Sequence, residues 1–156
     1  MILSRYSYEE MELSQILDVV DVEKTIGFNE QTIKGISYDS RMVSPGYLFV
    51  ALNGEQNNGI NFVTEAVAKG AVAVLSEEEL HLPKGITLIK VEDSRKALAE
   101  LACSFHSYPS SHLQCFGITG TNGKTTTSYL LRSILMHAGQ KTGLIGTVEQ
   151  IVGERV

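Results

Sequence analysis

Residues 117–127 read GITGTNGKTTT, so three glycines, one lysine and five threonines fall within eleven positions. That mixture suits a polyphosphate. Glycines let the backbone curl around a phosphate chain without Cβ clashes, and successive peptide N–H groups then face the anion. A lysine directly after the last glycine, Lys124, is placed to reach β- and γ-phosphates, and the Thr125 hydroxyl to ligate the Mg²⁺ that bridges them. The strict G-x-x-x-x-G-K-[ST] pattern needs glycine at position 118, where Ile118 stands; the spacing here is Gly117-x-x-Gly120-x-x-Gly123-Lys124-Thr125. A glycine-rich turn without a ligand leaves Thr119, Thr121, Asn122, Thr125, Thr126 and Thr127 unexplained at one helix entrance. The charge pattern points the same way. Residues 1–100 carry 16 acids against 9 Lys and Arg, whereas residues 101–148 contain Lys124, Arg132 and Lys141 and no acid at all. An acid-free stretch around the loop is a field that tolerates anions.

Other chemistries find little support. Cys103 and Cys115 form no C-x-x-C pair, and His81, His106, His112 and His137 lack ligand spacing, so neither a disulfide framework nor a zinc site is expected. Both thiols read as buried and free. No basic stripe with interleaved aromatics argues for nucleic acid. No apolar run approaches the roughly 18 residues of a membrane span, and MILSRYSYEEMEL lacks the design of a secretory signal, so the cytoplasm is expected.

The loop needs a strand before it and a helix after it. Leu113–Thr119 reads as the strand. Thr125–Ala138 reads as the helix, with Leu130, Leu131, Ile134, Leu135 and Ala138 inward, Gly139 closing it, and a further strand starting over 141–145: one βαβ unit. Upstream, Ser7-Tyr8-Glu9-Glu10 has the form of a capping box, predicting a first helix with Met11, Leu13, Ile16, Leu17 and Val20 on its apolar face. A strand is expected near Ile33 in TIKGISYDS, a turn at Val43–Gly46, a strand over 47–52 with Phe49 and Leu52 in the core, and a polar loop over 53–61. Phe62–Lys69 predicts a helix ended by Gly70. Ala71–Leu75 predicts a parallel strand covered on both faces, and Thr87–Val91 another. Asp93 or Ser94 caps a helix whose Ala97, Leu98, Leu101, Ala102 and Phe105 form one stripe. His106–Ser111 reads as a linker. The fold class is therefore α/β, with a domain over 1–110 and a second one begun over 111–156. A lone βαβ unit cannot cover both faces of its strands, so the chain reads as the N-terminal part of something longer.

The loop GITGTNGKTT resembles the ATP-binding loop of the Mur ligase family, ATP-dependent amide-forming enzymes of peptidoglycan precursor synthesis. Three upstream segments resemble the UDP-binding N-terminal domain shared by two members: Ser37-Tyr38-Asp39-Ser40-Arg41, then Pro45-Gly46-x-Leu48-Phe49-Val50-Ala51-Leu52-x-Gly54, then Asn58-Gly59 with Ala66 and Gly70-Ala71. Gly139-Gln140-Lys141-Thr142-Gly143-Leu144-Ile145-Gly146-Thr147 is similar to the member that adds the third residue of the peptide. It is unlike the member that adds D-Ala-D-Ala.

The resemblance covers about residues 33–147. It implies an N-terminal UDP-MurNAc-binding α/β domain followed by the first P-loop unit of an incomplete central ATP-binding domain. It implies that Tyr38 and Ser40 contact the UDP part of the substrate, with Glu55, Gln56 and Asn57 in the loop that closes on the uridine. Gly120, Thr121, Asn122, Gly123, Lys124, Thr125 and Thr126 would hold ATP, Lys124 acting catalytically and Thr125 on Mg²⁺. Asn58 stands where the family usually has aspartate. The implied substrates are ATP, UDP-MurNAc-L-Ala-D-Glu and an amino acid, meso-diaminopimelate or lysine, joined through an acyl phosphate. Read from the residues alone, Asp39-Ser40-Arg41 is an Asx turn with a surface ion pair, the 53–61 loop faces solvent, and Tyr129 packs on its helix rather than stacking on adenine. Three other readings stay open: the ligase that adds D-Ala-D-Ala, a stand-alone UDP-sugar-binding module with an idle loop, and an unrelated P-loop kinase or GTPase. The expectation is no turnover and weak ATP binding by these 156 residues alone. Apolar faces of the second part would be disordered, packed on the first domain or buried by self-association, and the full-length protein would be monomeric.

Overall fold

Two units make up the chain in a computed structural model, residues 1–112 and 113–156, of which residues 10–54 and 58–152 are described. The first contains β1 (Met11–Glu12), α1 (Leu13–Val19), β2 (Val22–Ile26), β3 (Thr32–Ile33), β4 (Gly35–Ser37), β5 (Tyr47–Val50), α2 (Val63–Ala68), β6 (Ala71–Ser76), β7 (Thr87–Val91) and α3 (Ser94–Phe105). Its main sheet runs β2-β7-β6-β5-β4. The strands β4 to β7 are mutually parallel, and β2 joins the β7 edge antiparallel. β1 and β3 form a separate antiparallel pair.

Alternation along β5 divides the core. Leu48 and Val50 face one layer with Leu13 and Ile16 of α1 and Ala97, Leu101 and Phe105 of α3. Phe49 and Ala51 face the other with Val63 and Ala66 of α2. A register shift opposite Tyr47 and Leu48 breaks the strict two-residue period on β6, so Ala71 and Val74 share the α2 side while Ala73 and Leu75 lie opposite. Helices on both faces explain why these strands are apolar throughout.

The local signals explain most of the helix ends. Asp93 accepts from the backbone N–H of Arg95 and Lys96 at 2.9 Å each and starts α3. Gly70 ends the α2 turn in the left-handed region at φ +101°. α1 starts later than the Ser7–Glu10 box predicts. Its own capping box is Glu12 with Gln15, whose side chain accepts from Glu12 N–H at 2.9 Å, and Met11 is in a strand. Ser7, Tyr8 and Glu9 lie outside the described residues. The single strand expected around Ile33 is two, β3 and β4, in different sheets. Leu52 is only partly buried, whereas Phe49 is fully so.

The second unit contains α4 (Lys124–His137) and a hairpin of β8 (Gly143–Ile145) with β9 (Gln150–Val152). The expected strand over Leu113–Thr119 is not formed: residues 114–120 have no regular secondary structure. β8 pairs antiparallel with β9 rather than parallel with a strand before the loop. The βαβ unit is thus present as loop, helix and hairpin. A strand exists only against a partner ladder, and within this unit the described residues offer one solely to β8 and β9. For the same reason the inward face expected of α4 is only half covered: Leu130 is 61% and Ile134 65% exposed, while Leu131 and Leu135 are partly buried. The hairpin buries only the cross-strand pair Leu144 and Ile151. Both cysteines are exposed, correcting the buried-thiol expectation. Cys103 lies between the inward Leu101 and Phe105 on α3, so helical geometry turns it outward, and Cys115 lies in the irregular segment. Ala102, placed on the apolar stripe, is likewise exposed.

Candidate functional site

In open parallel sheets ligands collect beyond the carboxyl ends of the strands, and the first unit has four such ends side by side. β4 runs into Tyr38–Arg41. Tyr38 is 65% exposed and Ser40 5%. Ser37 Oγ donates to the Asp39 carbonyl at 2.8 Å, and Asp39 Oδ1 accepts from Arg41 N–H at 2.9 Å, a tight Asx turn that starts a short 3₁₀ turn over Ser40–Met42. The Arg41 guanidinium also lies 2.7 Å from Asp39. The Arg41 side-chain contact, more than its backbone N–H, holds the Asp39 carboxyl at about 2, against an ordinary value of 3.8. Ser40 Oγ donates to Glu65 Oε2 of α2 at 2.7 Å, and Lys69 reaches Glu65 Oε1 at 2.8 Å.

β5 runs into Ala51–Gly54, and Asn53 bridges back to Asn58. Asn58 Oδ1 accepts from Ile60 N–H at 3.0 Å, and Gly59 N–H donates to the Leu52 carbonyl at 2.8 Å. At the end of β6, Glu77 accepts from both the backbone N–H (3.0 Å) and the hydroxyl (2.7 Å) of Ser94, the first residue of α3. Those two bonds, backbone first, hold its carboxyl below the usual range, and a bond from the Asn53 side chain adds to them. Arg95 Nη2 donates to the Asn53 carbonyl at 3.2 Å. The ends of β5, β6 and β7 are therefore cross-tied through Asn53, Glu77, Ser94 and Arg95, while the end of β4 is tied to α2 through Ser40 and Glu65.

The glycine loop precedes α4 as its composition dictates. Gly120 is at φ +148° and Gly123, the residue before the helix, is left-handed at φ +77°. No side chain caps α4 and its first turn holds no acid. The first intrahelical bond at this end is Thr127 N–H to the Gly123 carbonyl at 2.9 Å, which leaves the N–H groups of residues 124–126 directed outward. A Cβ at Gly117 or Gly123 would meet nothing within 4 Å. The cradle is open. Lys124 Nζ donates to the Gly120 carbonyl at 2.6 Å, closing the loop on itself and holding the ammonium beside the outward N–H groups. Thr121, Asn122, Thr125 and Thr126 are all exposed. Tyr129 is part-buried and donates to Glu149, which holds its phenol above the ordinary value. That contact ties α4 to the segment between β8 and β9. It also brings the first acid beyond the acid-free stretch back onto α4.

The structure thus groups Tyr38 and Ser40 at the sheet edge, and Gly120–Thr126 at the open end of α4. Glu55, Gln56 and Asn57 lie outside the described residues. Glu65, Glu77 and Arg95 were not read as site residues. Glu65 sits in an ordinary helix, and Glu77-Glu78-Glu79 has the composition of a solvated acidic turn, so neither carried a sequence signal.

Residues 32–106, which include these strand ends, match the Mur ligase family, catalytic domain. Residues 118–154, which include the glycine loop and α4, match the Mur ligase middle domain. The chain belongs to the Mur ligase family. Among its relatives, the UDP-N-acetylmuramoyl-L-alanyl-D-glutamate--2,6-diaminopimelate ligase of Caldanaerobacter subterraneus subsp. tengcongensis is 44% identical over 124 residues, covering 80% of this chain and 26% of that protein. A solved structure of a UDP-N-acetylmuramoyl-L-alanyl-D-glutamate--2,6-diaminopimelate ligase matches with a TM-score of 0.68 at 27% identity, over 92% of this chain and 29% of that one. The MurF ligase of Thermotoga maritima in complex with ADP matches with a TM-score of 0.50 at 32% identity, over 65% of this chain and 23% of that one. This Mur ligase chain spans less than a third of the length of these proteins. The mixed α/β architecture with its parallel sheet is a partial Mur ligase fold.

Proposed function

We propose that the chain supplies two substrate-handling parts of an ATP-dependent amide ligase of peptidoglycan precursor synthesis. Residues 1–110 hold the uridine diphosphate end of UDP-MurNAc-L-Ala-D-Glu, through Tyr38, Ser40 and the loop over Glu55, Gln56 and Asn57. Residues 111–156 begin the ATP-binding domain, through Gly120–Thr126. The third-residue ligase is favoured over the D-Ala-D-Ala-adding one because the curated relatives at 44% and 46% identity carry the 2,6-diaminopimelate name. Diaminopimelate is accordingly the amino acid proposed. The cytoplasm is the proposed compartment, since ATP and nucleotide-linked precursors are used there; among the described residues no helix is long and apolar enough to cross a membrane.

The observation that carries this reading is the uncapped, acid-free N-terminus of α4 behind a left-handed glycine, with Lys124 drawn into the same opening. Outward N–H groups and an ammonium receive the β- and γ-phosphates and stabilise charge on the transferring phosphoryl group. Transfer of the γ-phosphoryl group of ATP to the D-Glu carboxylate breaks its bond to ADP, which leaves, and gives an acyl phosphate. The amine of the incoming amino acid attacks its carbonyl carbon, phosphate departs with the former carboxylate oxygen, and an amide remains. Mg²⁺ fits beside the loop. Thr125 presents an exposed hydroxyl there. Such an ion would be held by Thr125 and would neutralise phosphate charge. Binding the uridine in its own domain uses a remote handle to place the reacting carboxylate.

Phosphate release by the intact gene product tests this, with ATP, Mg²⁺, UDP-MurNAc-L-Ala-D-Glu and diaminopimelate supplied together and singly omitted. Release that requires all of them is expected, falling by about 10²–10³-fold in Lys124→Ala, the scale of one lost transition-state donor. Binding of UDP without any release would instead favour a UDP-sugar-binding module.

A further inference from the structure

The proton of the Ser40 hydroxyl is already committed. A carboxylate accepts and never donates, so the 2.7 Å contact of Ser40 Oγ with Glu65 Oε2 fixes the direction of that bond. Glu65 is held in turn. Lys69, one helical turn on, binds its other oxygen at 2.8 Å, and α2 is anchored by buried Val63 and Ala66. The Lys69 contact first and the Ser40 contact second keep the Glu65 carboxyl below the usual range, so it stays an acceptor at neutral pH. The serine itself has little room to turn, since only 5% of it is exposed and the Asx turn of Asp39 sets its backbone. A hydroxyl has one donor and two lone pairs. With its proton directed to Glu65, Ser40 offers a ligand lone pairs alone.

We propose that Glu65 is a positioning residue that makes Ser40 a hydrogen-bond acceptor, so that this edge selects a donor on the uridine moiety, either uracil N3–H or a ribose hydroxyl. A phosphate oxygen, which accepts, is refused by Ser40. The inference rests on reading this edge as the uridine diphosphate site.

Calorimetric titration of the 156-residue chain with UDP tests it, alongside 3-methyluridine diphosphate and the 2′- and 3′-deoxy analogues. One donor-deleted analogue is expected to bind the unaltered chain about 5–10-fold more weakly, the cost of one hydrogen bond. The analogue affected tells base from ribose. Glu65→Ala is expected to weaken UDP by a similar factor and to shrink the analogue's penalty to within about 2-fold, because the freed hydroxyl is no longer held with its lone pairs towards the ligand. Glu65→Gln, whose amide oxygen still accepts, is expected to stay within about 2-fold of the unaltered chain. A purely structural role for Glu65 would leave the analogue preference unmoved. Equal or tighter UDP binding by Glu65→Ala would overturn the proposal, as would indifference of the unaltered chain to all three analogues, which needs no variant to fold. If Ser40→Ala binds UDP as the unaltered chain does, or the unaltered chain binds none, the uridine-site reading fails and takes the proposal with it. If Ser40→Ala binds weakly while Glu65→Ala does not, the proposal alone fails.

Discussion

Gly59 stands where the chain passes close to itself: a Cβ there would lie 2.6 Å from Leu52 N, 2.8 Å from Ala51 C and 2.8 Å from Leu52 O. The backbone of Ala51 and Leu52 cannot step aside as a side chain could, so Gly59→Ala is expected to destabilise the chain by about 1–3 kcal/mol in chemical denaturation, the range of overpacked sites. Gly85 has φ +90° with nothing within 4 Å, so Gly85→Ala should carry only the left-handed backbone cost of roughly 1–2 kcal/mol. Asp39 gives a pH signature. Its carboxyl lies at about 2 when folded against an ordinary 3.8. A depressed folded value stabilises above the unfolded value, so this contribution is complete above about pH 4 and lost as the pH falls towards 2. Thermal denaturation across that window should show a shallower acid slope in Asp39→Asn. The exposed ion pair with Arg41 makes the effect small.

Among the elements, α3 and α4 have similar apolar stripes in sequence and opposite fates in structure. Leu101 of α3 is fully buried against α1 and the sheet, so Leu101→Ala should cost about 2–5 kcal/mol. Removing its cap with Asp93→Ala should cost about 1 kcal/mol. Ile134 of α4 is 65% exposed, so Ile134→Gln should change the stability of this chain by no more than about 0.5 kcal/mol. Equal losses at Leu101 and Ile134 in urea titrations would mean that both faces are covered. β6 was legible because Ala71–Leu75 is apolar at every position, as a strand under two helical layers is expected to be. β2 was not read at all. V-E-K-T-I alternates weakly, and its place is decided by pairing with β7 at the sheet edge.

The whole chain joins a unit with a two-sided core to one whose helix and hairpin bury few side chains. Amide hydrogen exchange should therefore be slowest in β6 and β7, where Val74, Leu75, Leu88 and Ile89 are almost fully buried, and fast across residues 114–120, which have no ladder partner. Protection of residues 114–118 comparable to that of β6 would contradict the picture of an unpaired segment. At this scale the glycine loop was the most legible feature, because its form is local backbone: glycine conformations, outward N–H groups and an adjacent lysine follow from eleven contiguous residues. In the first unit the Asx turn and ion pair of Asp39 and Arg41 were legible from the residues, whereas the ties of Glu65 and Glu77 were not, since they join separate strand ends and helices.

What the sequence determined by itself was local: the helix stop at Gly70, the cap at Asp93, the two-faced strands and the turn of the loop, all set by interactions among near neighbours. Tertiary structure decided the rest. It left Leu113–Thr119 without a strand, since no ladder reaches it, turned Cys103 outward between Leu101 and Phe105, and brought Glu65 to Ser40 across 25 residues. Which way a hydroxyl donates depends on what packs beside it, and chain folding alone sets that neighbour.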